Sequence, residues 1–234
     1  MKTIVTTVCI ILLCVSVAYS ERLQSIFTTD FYLNMALNYG KVAENRAKSW
    51  EDIIKGAQND SEWNKLNKVN RFFNQAIQYQ DDLPLWGKRD YWASPVETIA
   101  RGKGDCEDYA IAKFFSLTAL GVPESKLRLM YVRQLTVNQP HMVLIYFETP
   151  KSIPLVLDNY NLDILPANKR PDLKPIYSFN GGGLWMAKAK GLGRKVTNSR
   201  GVSAWDNLLQ RIEQGSLPGV SFASANTRQY QPLH

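Results

Sequence analysis

Cysteine and histidine are both scarce in this chain, which has 3 cysteines and 2 histidines among its 234 residues. The sequence also lacks repeats and low-complexity tracts. Hydrophobic residues make up 45% and charged residues 21% of the chain, and this balance argues against disorder, collagen and coiled coil. The formal net charge of +7 is too small by itself to indicate a nucleic-acid-binding protein. The length suits one globular domain or two small ones.

Long hydrophobic runs are also missing beyond the first twenty residues, where no stretch approaches the roughly 20 apolar residues that a membrane-spanning helix needs. The N-terminal run, Ile4 to Val17, is mostly apolar and uncharged, follows Lys2 and precedes the small-residue sequence Ala18-Tyr19-Ser20. This pattern is typical of a cleaved secretory signal peptide, so we predict a signal peptide over residues 1–20 and export of the protein. A retained membrane anchor is the alternative, and the short run disfavours it.

Cleavage at that position would leave Cys106 as the single thiol, because Cys9 and Cys14 lie in the signal peptide. An internal disulfide would then be impossible. An unpaired cysteine in an exported protein is at risk of oxidation and of intermolecular pairing. We therefore interpret Cys106 as a candidate functional residue.

Apolar spacing predicts helices in the first half of the chain. Residues 30–80 have a helical pattern, in which Leu66, Val69 and Phe73 recur at helical spacing. A short helix is predicted to begin at Ser94-Pro95-Val96-Glu97, which has the pattern of a capping box with proline in the first turn. The next helix is predicted to begin near Cys106 and to end before Gly121.

The second half of the chain contains predicted strands. Leu127 to Val132, Met142 to Phe147 and Leu155 to Leu157 are nearly continuous apolar runs, as expected for central strands. Helices followed by strands of antiparallel appearance indicate an α+β fold. Tyr177 to Trp185, which contains three consecutive glycines, is interpreted as a loop, and residues 204–212 are predicted to form a last amphipathic helix.

The stretch from Leu173 to Trp205 contains basic residues and no acidic ones. A solvated flexible loop is the simple interpretation, and a docking surface for an acidic partner or an anionic lipid is the alternative. The basic residues are Lys174, Lys188, Lys190, Arg194, Lys195 and Arg200.

Three residues have the chemistry and the order of a thiol-dependent catalytic site. Cys106 begins a predicted helix, His141 precedes a predicted strand, and Asp158 ends the next one. A helix N-terminus stabilises a thiolate, an imidazole can accept the thiol proton, and a carboxylate on the other ring nitrogen fixes the tautomer. We predict a triad of these residues, because adjacent antiparallel strands would bring the last two together. A structural cysteine and a hydrogen-bonded histidine are the alternative.

Three carboxylates flank the thiol, those of Asp105, Glu107 and Asp108. Carboxylates suit a helix N-terminus, but their negative charge opposes formation of a thiolate. A Ca²⁺ ion would resolve this conflict because it binds clustered carboxylate oxygens, although the spacing is not that of an EF-hand. Zinc bound by the three triad residues is the rival interpretation, and it would occupy the nucleophile.

The segments around these residues are Gly104-Asp105-Cys106-Glu107-Asp108-Tyr109-Ala110, His141-Met142-Val143-Leu144 and Leu157-Asp158-Asn159, supported by Trp92 to Thr98, Tyr177 to Asn180 and Leu184-Trp185. They resemble the transglutaminase-like core and, more closely, the LapG type of bacterial transglutaminase-like cysteine proteinase. The resemblance covers roughly residues 25–190. It implies an α+β fold with a papain/transglutaminase-like core, an N-terminal helical part and an antiparallel sheet. We expect one domain over residues 21–234, with a helical lobe over 21–90 and the catalytic core and tail over 91–234.

The resemblance also implies an activity. Members of the family are periplasmic, calcium-dependent cysteine endoproteases that cut the N-terminal region of a large surface adhesin at a paired-alanine site. This cut releases the adhesin and disperses the biofilm. The periplasmic domain of an inner-membrane cyclic-di-GMP receptor sequesters the protease. We therefore expect both proteins as partners, no nucleic-acid partner, and no membrane-spanning segment after signal cleavage.

By motif match, the resemblance also implies residue roles. Cys106 would be the nucleophile, His141 the general base and acid, and Asp158 the orienting carboxylate, while the three carboxylates beside the thiol would bind calcium. Trp92 would contact a partner or line the cleft, with core packing as the alternative. Two other functions remain open: acyl transfer to an amine through the same thioester, and a non-catalytic docking module.

Overall fold

The computed structural model describes residues 26–187, 193–196 and 202–213. The predicted signal peptide lies outside the described residues, as do Lys188, Lys190 and Arg200 of the basic stretch. The helices are α1 (Thr29–Tyr39), α2 (Lys41–Gly56), α3 (Glu62–Ala76), α4 (Asp82–Trp86), α5 (Pro95–Arg101), α6 (Cys106–Ala119) and α7 (Ser203–Glu213). The strands are β1 (Gln78–Tyr79), β2 (Lys103–Gly104), β3 (Leu127–Gln134), β4 (Gln139–Tyr146), β5 (Leu155–Leu157), β6 (Leu165–Pro166), β7 (Leu173–Asn180) and β8 (Gly183–Met186).

Local capping divides the predicted helical region into three helices. The hydroxyl of Thr28 accepts the N–H of Phe31 at the start of α1, and the hydroxyl of Ser61 accepts that of Asn64 at the start of α3. Between α1 and α2 stands Gly40, whose φ of 86° is in the left-handed half of conformational space that favours glycine. This residue ends one helix and allows the next to begin at once in a new direction.

The sheet confirms the predicted α+β fold. Its six strands are antiparallel and follow the order β6-β5-β4-β3-β7-β8, so that the short strands β6 and β8 lie at its margins. The separate two-stranded sheet is parallel and pairs Gln78 with Lys103 and Tyr79 with Gly104. The three predicted strands correspond to β3, β4 and β5.

The loop predicted over residues 177–185 is wrong, because this segment forms most of the hairpin of β7 and β8. A two-residue turn, Gly181-Gly182, joins the strands. The buried amide of Asn180 fixes the hairpin: it accepts the N–H of Gly182 and donates to the carbonyl of Leu127. These hydrogen bonds tie the turn to the start of β3 and offset the low strand preference of glycine.

The main core lies between the helices and one face of the sheet. Ile111 and Leu117 of α6 are fully buried with Leu129 of β3 and Leu144 of β4, and full burial of such a side chain contributes about 1.5–3 kcal/mol. The predicted last helix is present as α7, and it adds Trp205 to this core. None of the described helices has the length and apolarity needed to cross a membrane.

A smaller apolar cluster covers the opposite face of the sheet. Its buried members are Val132, Val143, Ile145, Phe147 and Val156. Side chains alternate along a strand, so His141 shares this face with Val143, while Met142 faces the helices with Leu144.

Candidate active site

Cys106 is placed by a tight reversal between α5 and α6. The predicted capping box at the start of α5 is present, with the Ser94 hydroxyl and the Glu97 carboxylate each accepting the other residue's backbone N–H. Gly102 ends the helix with a φ of 64°, and the two residues of β2 then lead into α6. Gly104 leaves no room for a side chain, because an added Cβ would lie 2.7 Å from the Asp108 side chain. Cys106 is thus the first residue of α6.

The Cys106 thiol is half-buried and lies against β4. It donates a hydrogen bond to Glu107 Oε2 over 3.0 Å and accepts one from the backbone N–H of Met142, the residue after His141. In the described part of the chain, its side-chain hydrogen bond goes to Glu107 rather than to the imidazole. Burial and the Glu107 carboxylate raise the pKa of Cys106 well above its ordinary value, so the thiol is protonated in this arrangement.

His141 and Asp158 meet because β5 is shorter than β4. The strands pair only from Leu144 to Tyr146, so the His141 end of β4 extends past the end of β5. Asp158 follows directly after the last residue of β5 and faces this extension. His141 Nε2 lies 2.8 Å from Asp158 Oδ1, and both side chains are buried.

The hydrogen bonds of Asp158 fix the tautomer of His141. Burial alone would raise the pKa of Asp158, but hydrogen bonds from His141, Arg170 and the Tyr160 N–H hold it well below its usual range. An ionised carboxylate can only accept hydrogen bonds. His141 therefore carries its hydrogen on Nε2, which leaves Nδ1 unprotonated in the neutral ring and able to accept a proton.

The acidic residues beside the thiol form two groups that share Asp82. One group contains Asp82, Asp105 and Asp108, and the other contains Asp82, Asp90 and Glu107; within each group the candidate ligand oxygens lie within 4.8 Å of one another. The three predicted ligands are thus linked through Asp82, which sequence reasoning missed. The three residues of the rival zinc interpretation form no such group among the described residues.

These carboxylates have too few partners for their burial. One oxygen each of Asp82, Asp105 and Asp108 is buried and without a hydrogen-bond partner. Burial, with the charge of Glu107 next, raises the pKa of Asp105 to about 10 and that of Asp108 well above its usual range, while burial raises the pKa of Asp82 to about 6. Unpaired, mutually repelling oxygens of this kind fit a hard divalent cation such as Ca²⁺.

Trp92 packs inside the protein. Its side chain is 7% exposed and stacks on Phe179 with the ring centroids 5.7 Å apart. The indole N–H donates to Asp90 Oδ1 over 2.9 Å, which ties the second acidic group to the core. A contact between Trp92 and a partner or substrate stays a prediction.

Two buried cations behind Asp158 were also missed by sequence reasoning. Lys113 is fully buried in α6, and its Nζ donates to Asn74 Oδ1 and to the backbone carbonyl of Asp158 over 2.7 and 3.0 Å. Burial lowers the pKa of Lys113 to about 7. A single lysine inside the apolar run Ala110 to Phe115 was an available signal. Arg170 follows a short turn with no periodic pattern, so its sequence context carried no such signal.

Comparison with known proteins gives a consistent result. A family model for bacterial transglutaminase-like cysteine proteinases (BTLCP) matches residues 38–173. A calcium-bound structure of Legionella pneumophila LapG is similar to the chain at 45% sequence identity, covering 78% of this chain and 97% of that one with a TM-score of 0.67. An EGTA-treated LapG from the same organism is 44% identical, with coverages of 78% and 96% and the same TM-score of 0.67. No curated protein sequence matches the chain.

Proposed function

Because the chain belongs to the bacterial transglutaminase-like cysteine proteinase family and is a cysteine peptidase, we propose that Cys106, His141 and Asp158 are its catalytic triad. The observation that carries this proposal is the 2.8 Å contact between His141 Nε2 and Asp158 Oδ1. It leaves Nδ1 as the only ring nitrogen able to take a proton. The Cys106 thiol accepts a hydrogen bond from the backbone N–H of Met142, the residue that follows this histidine in the chain, which supports a place for Cys106 in the same site.

The proposed reaction is hydrolysis of a peptide bond through a thioester. His141 Nδ1 accepts the Cys106 proton as the sulfur attacks the carbonyl carbon, and backbone N–H groups at the start of α6 can stabilise the oxyanion. Collapse breaks the C–N bond, and the leaving amine takes the proton from the imidazolium. Water then attacks the thioester, gives its proton to His141, and the released sulfur recovers that proton as the carboxylic acid departs.

We also propose that the enzyme binds Ca²⁺ through the carboxylates of Asp82, Asp105, Glu107 and Asp108. The unpaired buried oxygens of Asp82, Asp105 and Asp108 support this, and the similar LapG of Legionella pneumophila occurs in a calcium-bound form. When bound, the ion would supply positive charge that compensates the carboxylates beside the nucleophile. Asp90, which is exposed, would contribute from the edge of the second group.

For the biological role, we propose a periplasmic endoprotease that cuts the N-terminal region of a large surface adhesin at a paired-alanine site. Release of the adhesin would disperse the biofilm, and the periplasmic domain of an inner-membrane cyclic-di-GMP receptor would sequester the enzyme. Membership of the family and the signal-peptide pattern of residues 1–20 support this role.

A cleavage assay tests these proposals together. Purified residues 21–234 are incubated with an adhesin N-terminal fragment that contains a paired-alanine site, in calcium or in EGTA, beside a folded Cys106→Ala control. We expect cleavage only with calcium and an intact thiol. Cleavage by Cys106→Ala would refute the nucleophile, and full activity in EGTA would refute the calcium requirement.

The same assay separates the two other functions. Hydrolysis adds one water to the products, whereas acyl transfer adds the mass of the amine, so mass spectrometry of the new C-terminus distinguishes them. Tight binding of the fragment by a folded enzyme with no turnover would instead indicate a docking module.

A further inference from the structure

Arg170 connects the proposed triad to a chain of hydrogen-bonded polar groups that ends at the buried Gln134. Its side chain is 1% exposed, and the residue lies just after the short turn Ala167–Lys169, whose Ala167 packs against the smaller apolar cluster. Its Nη2 lies 2.7 Å from Asp158 Oδ2. A guanidinium cannot lose its charge in a protein, so Asp158 has a permanent counter-ion behind it.

The arginine is itself held in one orientation. Asp172 accepts from Arg170 Nε at Oδ1 over 2.9 Å and from Nη2 at Oδ2 over 2.7 Å. The buried Gln134 of β3 donates to the same Asp172 over 3.3 Å, and its Oε1 accepts the N–H of Thr136. The guanidinium is therefore anchored to the central strands of the sheet.

The two oxygens of Asp158 consequently have separate partners. Oδ1 faces His141 Nε2 and the backbone N–H of Tyr160, while Oδ2 faces Arg170. If Arg170 were absent, Oδ2 would be a buried oxygen without a partner, and the carboxyl could rotate or take up a proton. A protonated carboxyl can donate to Nε2, which would move the ring hydrogen to Nδ1 and remove the base.

We propose that Arg170 is a positioning residue of the reaction: it orients the Asp158 carboxylate so that His141 keeps its hydrogen on Nε2 and its lone pair on Nδ1. This inference rests on the proposed function for its kinetic consequence. Its structural consequence, the tautomer of one histidine, can be measured without any substrate.

The chain has only two histidines, His141 and His234, so a ring-¹⁵N-labelled sample gives two sets of signals, and His141→Asn assigns them. We would record these spectra at pH 8 with calcium for the wild type, Arg170→Met and Arg170→Lys. Arg128→Met is the matched control, because Arg128 is also a buried arginine of the same sheet, 4% exposed, but stacks on Trp185 with its Cζ 3.6 Å from the ring centroid.

We expect the wild type and Arg128→Met to hold His141 as the Nε2–H tautomer, and Arg170→Met to give a mixture of tautomers. In the adhesin-fragment assay, Arg170→Met should lower kcat by about 100-fold, the size of effect that misplacing a catalytic group produces. KM should change by no more than about twofold, because the buried Arg170 makes no substrate contact. Arg170→Lys keeps the positive charge but loses the planar guanidinium that hydrogen-bonds Asp158 and Asp172 together. Its kcat should be about tenfold higher than that of Arg170→Met.

Retention of a pure Nε2–H tautomer in folded Arg170→Met would overturn the proposal, as would a kcat equal to that of Arg128→Met. Should Arg170→Met fail to fold, Asp172→Asn provides a second test, because it weakens the anchoring of Arg170 without removing the guanidinium. It should shift the tautomer ratio of His141 and lower kcat by about tenfold, less than Arg170→Met would. If neither the tautomer ratio nor kcat changed, the proposal would also be overturned. A wild type that cleaves nothing but holds Nε2–H, with a mixture in Arg170→Met, would refute the proposed protease function and leave the role of Arg170 in fixing the tautomer intact.

Discussion

The buried carboxylates next to Cys106 and the buried carboxylate behind His141 differ in what balances their charge. Asp158 is paired with Arg170, so the chain itself supplies the balancing positive charge, and the backbone carbonyl of Asp158 accepts a hydrogen bond from Lys113. Asp82, Asp105 and Asp108 have no lysine or arginine as a hydrogen-bond partner in the described structure, and each keeps an unpaired oxygen.

The charge of Asp158 is therefore balanced within the folded chain, whereas the charges of the carboxylates beside Cys106 would be balanced only by a bound cation. Arg170 is part of the chain and keeps its charge, so the orientation of the Asp158 carboxylate is set when the chain folds. The carboxylates beside the Cys106 thiol are unfavourable without a cation, because burial and mutual repulsion favour their protonated forms. Substitutions on the two sides should therefore change stability in opposite directions.

The largest expected effect is that of Asp158→Asn. The amide cannot balance Arg170 or fix the imidazole tautomer, so kcat should fall by about 10³–10⁴-fold. Breaking a buried ion pair also costs about 3–5 kcal/mol in the free energy of unfolding. Steady-state kinetics and urea denaturation measure the two effects, with the exposed Asp163→Asn as control. A kcat above one tenth of the wild-type value would show that catalysis does not depend on an ionised carboxylate at residue 158.

On the thiol side, Asp108→Asn should have the opposite effect on stability. Without calcium it should raise the free energy of unfolding by about 1–3 kcal/mol, because the neutral amide removes a carboxylate charge that burial and the charges of Glu107 and Asp82 disfavour. Calcium at 100 times its dissociation constant should stabilise the wild type by about 2.7 kcal/mol, or roughly 5–10 °C in Tm. The variant should lose most of that increase, whereas Asp52→Asn, at an exposed aspartate of α2, should keep it.

The measurement is thermal unfolding of each protein in calcium and in EGTA. If Asp108→Asn were less stable than the wild type in EGTA, the Asp108 carboxyl would stabilise the folded protein even without calcium. The buried carboxylates beside Cys106 would then not differ from Asp158 in this respect.

Lys113→Met should change how stability depends on pH. The folded chain holds Lys113 with a pKa of about 7, whereas an unfolded lysine titrates near 10.4. Between these values the unfolded chain binds more protons, so Lys113 makes the free energy of unfolding rise with pH, by at most about 1.4 kcal/mol per pH unit. The variant should lose this contribution, which denaturation at pH 7 to 9.5 in calcium would detect.

Lys55→Met, at a lysine on the outer side of α2, serves as the control and should keep the wild-type slope. If the free energy of unfolding depended equally on pH in the wild type, Lys113→Met and Lys55→Met, Lys113 would be charged throughout this range. It would then be a permanent cation like Arg170.

The smallest expected effect is that of Trp92→Phe. Phenylalanine can keep the stack on Phe179 but loses the hydrogen bond to Asp90, which should cost about 1 kcal/mol of stability and leave kcat/KM within about twofold. The exposed Trp63→Phe is the control for loss of an indole. A loss of kcat/KM above tenfold would instead support Trp92 as a cleft contact.

Locally determined parts of the fold could be predicted from the sequence. The capping box at Ser94 and Glu97 and the apolar spacing of α3 and α6 depend on neighbours within one helical turn, and all were confirmed. The β7–β8 hairpin was missed because its glycines suggest a loop. Its strands are stabilised by the hydrogen bond of Asn180 to Leu127, a residue more than fifty positions away.

The candidate site, like the fold, could be predicted from the sequence only in part. The order of Cys106, His141 and Asp158 along alternating elements suggested which residues could meet, because strand pairing follows from chain order. Asp82 and Arg170 lie outside the long periodic elements and come to the site only through packing of distant segments. No spacing rule connects either to its partner, so their contributions could be found only in the folded structure.

The two margins of the six-stranded sheet also have a consequence for the behaviour of the protein in concentrated surroundings. At one margin the described strand β6 is two residues long, and Pro166 has no backbone N–H to offer. At the other margin the N–H of Met186 donates to the carbonyl of Arg194, and Trp185 forms a bridge with Lys195. A strand from another molecule therefore finds few free backbone donors and acceptors to pair with, and this protects the sheet against edge-to-edge aggregation.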